Sequence, residues 1–142
     1  MKTCREIMTE NPKCATAQRS IEEVAQMMKE EDVGAIPIVD DESNRKLIGI
    51  VTDRDIVLKV VADHQDPGMV RADAVMSSEL AFCHPQDNLA QAMEAMEDHQ
   101  VRRLPVVDGE QKLIGIIAQK DLAESNPNFH ATGEMLKEIS RD

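Results

Sequence analysis

The chain is written twice. Residues 21–56 read IEEVAQMMKEEDVGAIPIVD, a polar loop, then LIGIVTDRDI. Residues 89–122 read LAQAMEAMEDHQVRRLPVVD, a shorter loop, then LIGIIAQKDL. Pro37 recurs as Pro105 and Asp40 as Asp108 at one offset; after the shortened loop Gly49 recurs as Gly115 and Asp55 as Asp121. An internal repeat constrains folding strongly, because a unit that cannot bury its own apolar face needs its neighbour. Each copy is about 60 residues and marginal alone. The halves are therefore expected to share a core, with a cleft between them suited to a ligand.

The 142 residues suffice for one ordinary domain. With no Trp or Tyr and two Phe, the core must be built from Ile, Val, Leu, Ala and Met. The formal charge of −11 repels nucleic acid and disfavours anionic membranes, but a few local cations can still hold an anionic small ligand. No apolar run is long enough to span a membrane, and the opening MKTCREIM has no signal-peptide core, so the expected location is cytoplasmic. Cys4, Cys14 and Cys83 are odd in number and widely spaced, which argues against a disulfide framework or a zinc motif. The four His show no metal-ligand spacing, so no metal is expected.

Ser20 followed by Glu23 is a capping box opening a helix whose Ile21, Val24, Ala25 and Met28 share one face. Strands are expected over 33–39 and 47–52, joined by a polar turn, then a helix over 53–62. Pro37 inside the first of these strands belongs at a sheet edge or where the ladder is interrupted. The second copy repeats the order. Asp87 is expected to cap a helix with Leu89, Ala92, Met93 and Met96 on one face, followed by strands over 101–107 and 113–118 and a helix from 120. Residues 5–8 and 72–76 are short opening turns, DPG at 66–68 marks the linker, and a last short helix is expected over 132–140. The fold class is α/β (α+β), two pseudo-symmetric β-α-β-β-α halves.

The paired stretches VGAIPIVD…LIGIVTDRDI and VRRLPVVD…LIGIIAQKDL resemble the CBS-domain signature, and the chain from about residue 4 to 125 resembles a stand-alone CBS-domain pair, or Bateman module. The segments TDRDIV and EDHQVRRLP are similar to those of small bacterial or archaeal pair-only proteins of the hypoxic-response type. The resemblance implies domains over 4–64 and 69–125 with a tail over 126–142. It also implies a non-catalytic regulatory role and an adenosine-containing ligand (AMP, ADP, ATP or S-adenosylmethionine) rather than a required cofactor. A homodimer is implied too, and an effector protein as a further partner. Some such modules bind no nucleotide, which leaves a protein-interaction module as the alternative.

Candidate ligand residues follow. Thr52 ends a strand and can donate a hydroxyl proton; Asp55, one turn into the next helix, can accept two bonds from a vicinal ribose diol. The second copy keeps Asp121 but has Ala118 in place of the hydroxyl, where Lys120 offers a mobile charge for phosphate. Arg54, Arg102 and Arg103 are further basic candidates, the last two expected on opposite faces of one strand. Asp53 and Asp55 flank Arg54, which points to ion pairing rather than an acid–base dyad. By resemblance, adenine is held near Met8, Thr9, Cys14, Gly34, Ala35, Ile36 and Pro37 in the first half, and near Met76, Ser77, Cys83, Val101, Arg102, Leu104 and Pro105 in the second. The resemblance also implies sites completed across the halves. No nucleophile, base and orienting group converge, and there is no phosphate-binding loop, so no catalytic residue is named.

Overall fold

The computed structural model describes residues 2–125; the helix expected over 132–140 and the tail over 126–142 lie outside them. Along the chain run α1 (Cys4–Ile7), β1 (Thr9–Glu10), β2 (Ala15–Thr16), α2 (Ile21–Glu31), β3 (Ala35–Val39), β4 (Leu47–Thr52) and α3 (Asp53–Ile56), the last continued by a π-helical turn, Val57–Val61. Then come α4 (Ala72–Val75), α5 (Leu89–His99), β5 (Arg103–Val107), β6 (Leu113–Ala118) and α6 (Gln119–Ser125). They form two compact units: Lys13–Leu80 is one, and the chain up to Pro12 joins the chain from Ala81 onward as the other.

In the Lys13–Leu80 unit the sheet order is β2-β3-β4. β2 runs parallel to β3, with Ala15 opposite Ile38, and β3 is antiparallel to β4, with Ala35 opposite Thr52 and Pro37 opposite Ile50. Pro37 thus stands in a central strand, not at an edge. The missing N–H is tolerated because β2 reaches only Ile38 and Val39, beyond the proline. In the other unit Pro105 shows the device directly: Cys83 N–H donates to the Pro105 carbonyl and Val107 N–H to the Cys83 carbonyl, which bypasses the proline nitrogen.

Both strands after the long helices start two residues later than the apolar pattern suggests. The helices end in left-handed residues, Asp32 (φ 54°) and Gln100 (φ 52°). Val33 N–H then bonds back to the Met28 carbonyl and Val101 N–H to that of Met96. Those two residues close the helix ends and cannot yet pair in a ladder. The cap of α5 is Asn88, not Asp87: its side chain accepts from Gln91 N–H and Gln91 reciprocates. Asp87 instead accepts from the His84 N–H at 2.9 Å. Ser20 caps α2 as the sequence predicts.

Each unit has its own apolar cluster. One gathers Ile21, Val24, Met28, Ile36, Ile38, Val51, Val60, Ala72 and Val75. The other gathers Cys4, Cys83, Leu89, Ala92, Met93, Met96, Leu104, Val106, Ile117 and Leu122. Cys4 shows that the mutual dependence of the halves takes the form of an exchange. The opening segment of the first repeat, α1 and β1, belongs to the unit built by the second repeat, where β1 pairs antiparallel with β6 (Thr9 opposite Ile116). The opening segment of the second repeat, α4 and the residues after it, belongs to the unit of the first, where Ser77 and Ile50 exchange backbone hydrogen bonds at 2.9 and 3.1 Å.

The two repeated glycines make this seating possible. A Cβ on Gly49 would overlap Met76, lying 2.8 Å from its Cγ and 3.0 Å from its Cβ. A Cβ on Gly115 would meet Met8 in the same way, 2.8 Å from Cγ. Only hydrogen at these strand positions lets the methionine of the incoming segment lie across the strand.

Candidate functional site

The corner where β4 ends and α3 begins is built from backbone outward. Asp53 N–H donates to the Gly34 carbonyl at 2.9 Å, which fastens the helix start to the residue before β3. Thr52 and Asp55 cap each other: Asp55 N–H donates to Thr52 Oγ1 at 3.1 Å and Thr52 N–H to Asp55 Oδ2 at 3.0 Å. The capping bond uses the threonine oxygen as acceptor, so its hydroxyl proton stays available to a further acceptor. Asp55 Oδ1 faces Lys59 Nζ at 3.4 Å, and the same ammonium donates to the Val75 carbonyl at 3.0 Å. Lys59 went unremarked in the sequence, although its spacing of four from Asp55 on one helical face is the signal for such a pair. It takes the ion-pairing role that the sequence assigned to Arg54, which is exposed at the surface. Around this corner the unit also gathers Ala35, paired with Thr52, Pro37, buried in β3, and Met76 over Gly49. Cys14 precedes β2; burial pushes its thiol up, against the opposing pull of Arg45.

The matching corner of the other unit keeps half of this chemistry. Ala118 N–H donates to Asp121 Oδ2 at 2.8 Å, as Thr52 does to Asp55, but there is no hydroxyl to return the bond. Gln119 N–H donates to the Arg102 carbonyl at 2.8 Å, so Arg102 stands where Gly34 stands in the first copy. Arg102 precedes β5 and Arg103 begins it, so strand alternation does not set their two directions. Lys120 is exposed on the first turn of α6. Val101 closes the end of α5, Pro105 is buried in β5, and Cys83 is bridged to Val106.

Among the residues proposed for adenine, the structure regroups the two openings. Met8 and Thr9 fall in the unit of Asp121, and Met76 and Ser77 in the unit of Thr52 and Asp55. Among the described residues no cluster of three or more His, Cys, Asp or Glu side chains is arranged to hold a metal ion.

Two copies of one corner on two similar sheets match a known pattern. The CBS domain model fits residues 4–62 and 70–127. The chain belongs to the CBS-domain family. It is 38% identical over 140 residues to the CBS domain-containing protein YhcV of Bacillus subtilis, covering 99% of this chain and 96% of that one. Hypoxic response protein 1 of Mycobacterium tuberculosis is 35% identical over 139 residues, 98% of this chain and 94% of that one. A crystal structure of hypoxic response protein I with two coordinated zinc ions superposes with a TM-score of 0.80 at 35% identity, over 89% of this chain and all of that one. CBSX2 in complex with AMP superposes with a TM-score of 0.74 at 26% identity, over 88% and 96% of the two chains. This CBS pair is a regulatory module by family, and no helix of its described residues is long and apolar enough to cross a membrane.

Proposed function

We propose that this CBS pair is a non-catalytic, cytoplasmic sensor of an adenosine-containing ligand such as AMP, ADP, ATP or S-adenosylmethionine. The carrying observation is the Thr52–Asp55 corner: a free hydroxyl proton beside a carboxylate whose second oxygen is turned to a solvent-exposed lysine. A ribose diol donates two hydrogen bonds to such a carboxylate, and the Thr52 hydroxyl serves phosphate or ribose oxygen. The AMP complex of CBSX2, a structural relative, supports adenosyl chemistry on this fold. Ligand control then requires different affinity for two states of the module.

Calorimetric titration with each adenosyl compound tests the reading. Saturable binding is expected, weakened roughly ten- to a hundred-fold by Asp55→Ala, the loss of one or two hydrogen bonds to a charged group. Asp121→Ala is expected to cost less, because Ala118 supplies no partner hydroxyl. No saturable heat with any of the compounds refutes the sensor, and equal losses refute the inequality of the two corners.

A second reading is favoured by one observation. Val57, Leu58 and Val61 on the π-helical turn are 55%, 49% and 64% exposed, an apolar face that a second copy of the chain would cover. A homodimeric interaction module without nucleotide is what remains if the titrations stay silent.

A further inference from the structure

Lys59 joins the Thr52–Asp55 corner to the exchanged opening segment of the second repeat, and all of these residues lie in the Lys13–Leu80 unit. The Asp55 carboxylate is divided between two donors: Oδ2 accepts from the Thr52 N–H at 3.0 Å, and Oδ1 faces Lys59 Nζ at 3.4 Å. The same ammonium donates to the Val75 carbonyl at 3.0 Å. Val75 is the last residue of α4, a helix of 4 residues. The closing carbonyls of a helix have no partner within it, and so short a helix is held by its ties to the rest of the fold. At its start α4 is tied by Ala72 N–H to the Arg19 carbonyl at 2.7 Å and by Asp73 N–H to the Ala17 carbonyl at 3.1 Å. At its end the tie is Lys59.

The helix that carries Lys59 is locally wide. Ala62 N–H reaches back to the Val57 carbonyl and Gln65 N–H to the Val60 carbonyl, both at 2.9 Å, five residues rather than four. Such π turns are uncommon and occur mostly as single inserts at functional positions. Among the described residues the π turn occurs in this helix only; the matching helix of the other unit, α6, is α-helical throughout. The residue that matches Lys59, four after Asp121, is Ser125, which carries no charge. The wide turn and the lysine therefore go together, in one copy of the repeat.

We propose that Lys59 is an internal competitor for the ligand corner. In the free protein its ammonium takes the place of the ribose diol on Asp55 Oδ1 and ties that oxygen to α4; a bound ligand displaces it, so ligand binding and the seating of α4 oppose one another. The proposal rests on the adenosyl reading above. A ribose hydroxyl and an ammonium are both donors, and they contest Oδ1 because Oδ2 is committed to the helix cap. The side chains of Lys59 and Asp55 are 48% and 19% exposed, so the pair is open to a donor arriving from solvent. Once the diol holds Oδ1, the ammonium loses its counter-charge beside Val75 and returns to water, which leaves the end of α4 without its donor. The coupling is reciprocal: the factor by which the seated lysine weakens ligand binding is the factor by which ligand weakens the seating. The Asp121 corner has no such control.

The test combines amide hydrogen exchange, followed by NMR, with calorimetry on the whole folded protein and on Lys59→Met, which keeps the apolar stem and loses the charge. Without ligand, Lys59→Met should speed exchange of the Ala72 and Asp73 amides roughly threefold, the scale of one exposed ion pair with its hydrogen bond. The Val33 amide, bonded to the Met28 carbonyl in the same unit, should not change. AMP is the probe for the second arm. It should bind Lys59→Met roughly threefold tighter than the wild type, while 2′,3′-dideoxy-AMP, which lacks the diol, should not distinguish the two proteins. Saturating AMP should speed Ala72 and Asp73 exchange in the wild type and leave it unchanged in Lys59→Met. Unaltered exchange in the ligand-free variant, equal acceleration at Val33, weaker AMP binding to the variant, or an equal gain for the dideoxy compound would each overturn the proposal. Silence of AMP, ADP, ATP and S-adenosylmethionine toward the wild type would remove the sensor reading itself and the competition with it, even where ligand-free exchange responds as expected.

Discussion

Gly49→Ala is the most direct test of how the exchanged segments are held. The added Cβ would lie 2.8 Å from Met76 Cγ and 3.0 Å from Met76 Cβ, and closer still to the sulfur. The sulfur can swing away, but Cβ moves only with the backbone of the residue after α4. That backbone is tied by the paired hydrogen bonds of Ser77 and Ile50. Overpacking of this kind costs about 1–3 kcal/mol. A cost of about 2 kcal/mol would lower Tm by roughly 4–8 °C in a chain of this size. Thermal and urea unfolding of Gly49→Ala, Met76→Ala and the double variant measure it. The double variant should be more stable than the two single losses predict, because the overlap disappears with the methionine. Gly109→Ala is the control: nothing lies within 4 Å of its added Cβ, so a change within about 0.5 kcal/mol is expected. A Gly49→Ala protein as stable as Gly109→Ala, or strict additivity with Met76→Ala, would show that the methionine is not seated through the glycine.

Two further outcomes follow from local bonds. Asn88→Ala removes the cap of α5 and should cost about 1 kcal/mol in urea unfolding, more than Asn88→Asp, which keeps an acceptor for Gln91 N–H; equal losses would refute the capping role. Asp108 accepts the N–H groups of Lys112 and Glu110, and those bonds hold its carboxyl below the usual value of 3.8. Asp40 is held down similarly, first by the Asn44 amide and then by the N–H groups of Asp41 and Lys46. A carboxylate whose folded pKa is depressed adds stability above its unfolded pKa and loses it as pH falls through the folded one. Urea midpoints should therefore fall through the acid range, and Asp108→Asn should flatten that slope. A variant curve parallel to the wild type would refute it.

The Thr52–Asp55 corner was legible in its local geometry and less so in its partners. Thr52 and Asp55 stand one helical turn apart, and that spacing alone forces them to the same helix start. The choice of Lys59 over Arg54 as the ion partner was decided by the four-residue periodicity of one face. The cap of α5 was misplaced by one residue because Asp87 and Asn88 are both good caps. Tertiary bonding separated them, since the Asp87 side chain is used by the His84 N–H. Strand starts were set by left-handed helix ends at Asp32 and Gln100, neither of them a glycine that would advertise the turn.

The sequence by itself determined the repeat, the alternation and helical faces of each copy, and the loss of one hydroxyl at Ala118, because these follow from local periodicity and residue type. The tertiary structure alone decided which copy each opening segment completes. Local sequence is the same for a segment that folds back on its own repeat and for one that crosses to the other. The difference lies in long-range pairing, β1 with β6 and Ser77 with Ile50, and in the glycine-to-methionine contacts that seat them. The same exchange places Cys4 in the apolar cluster of the unit that the second repeat builds.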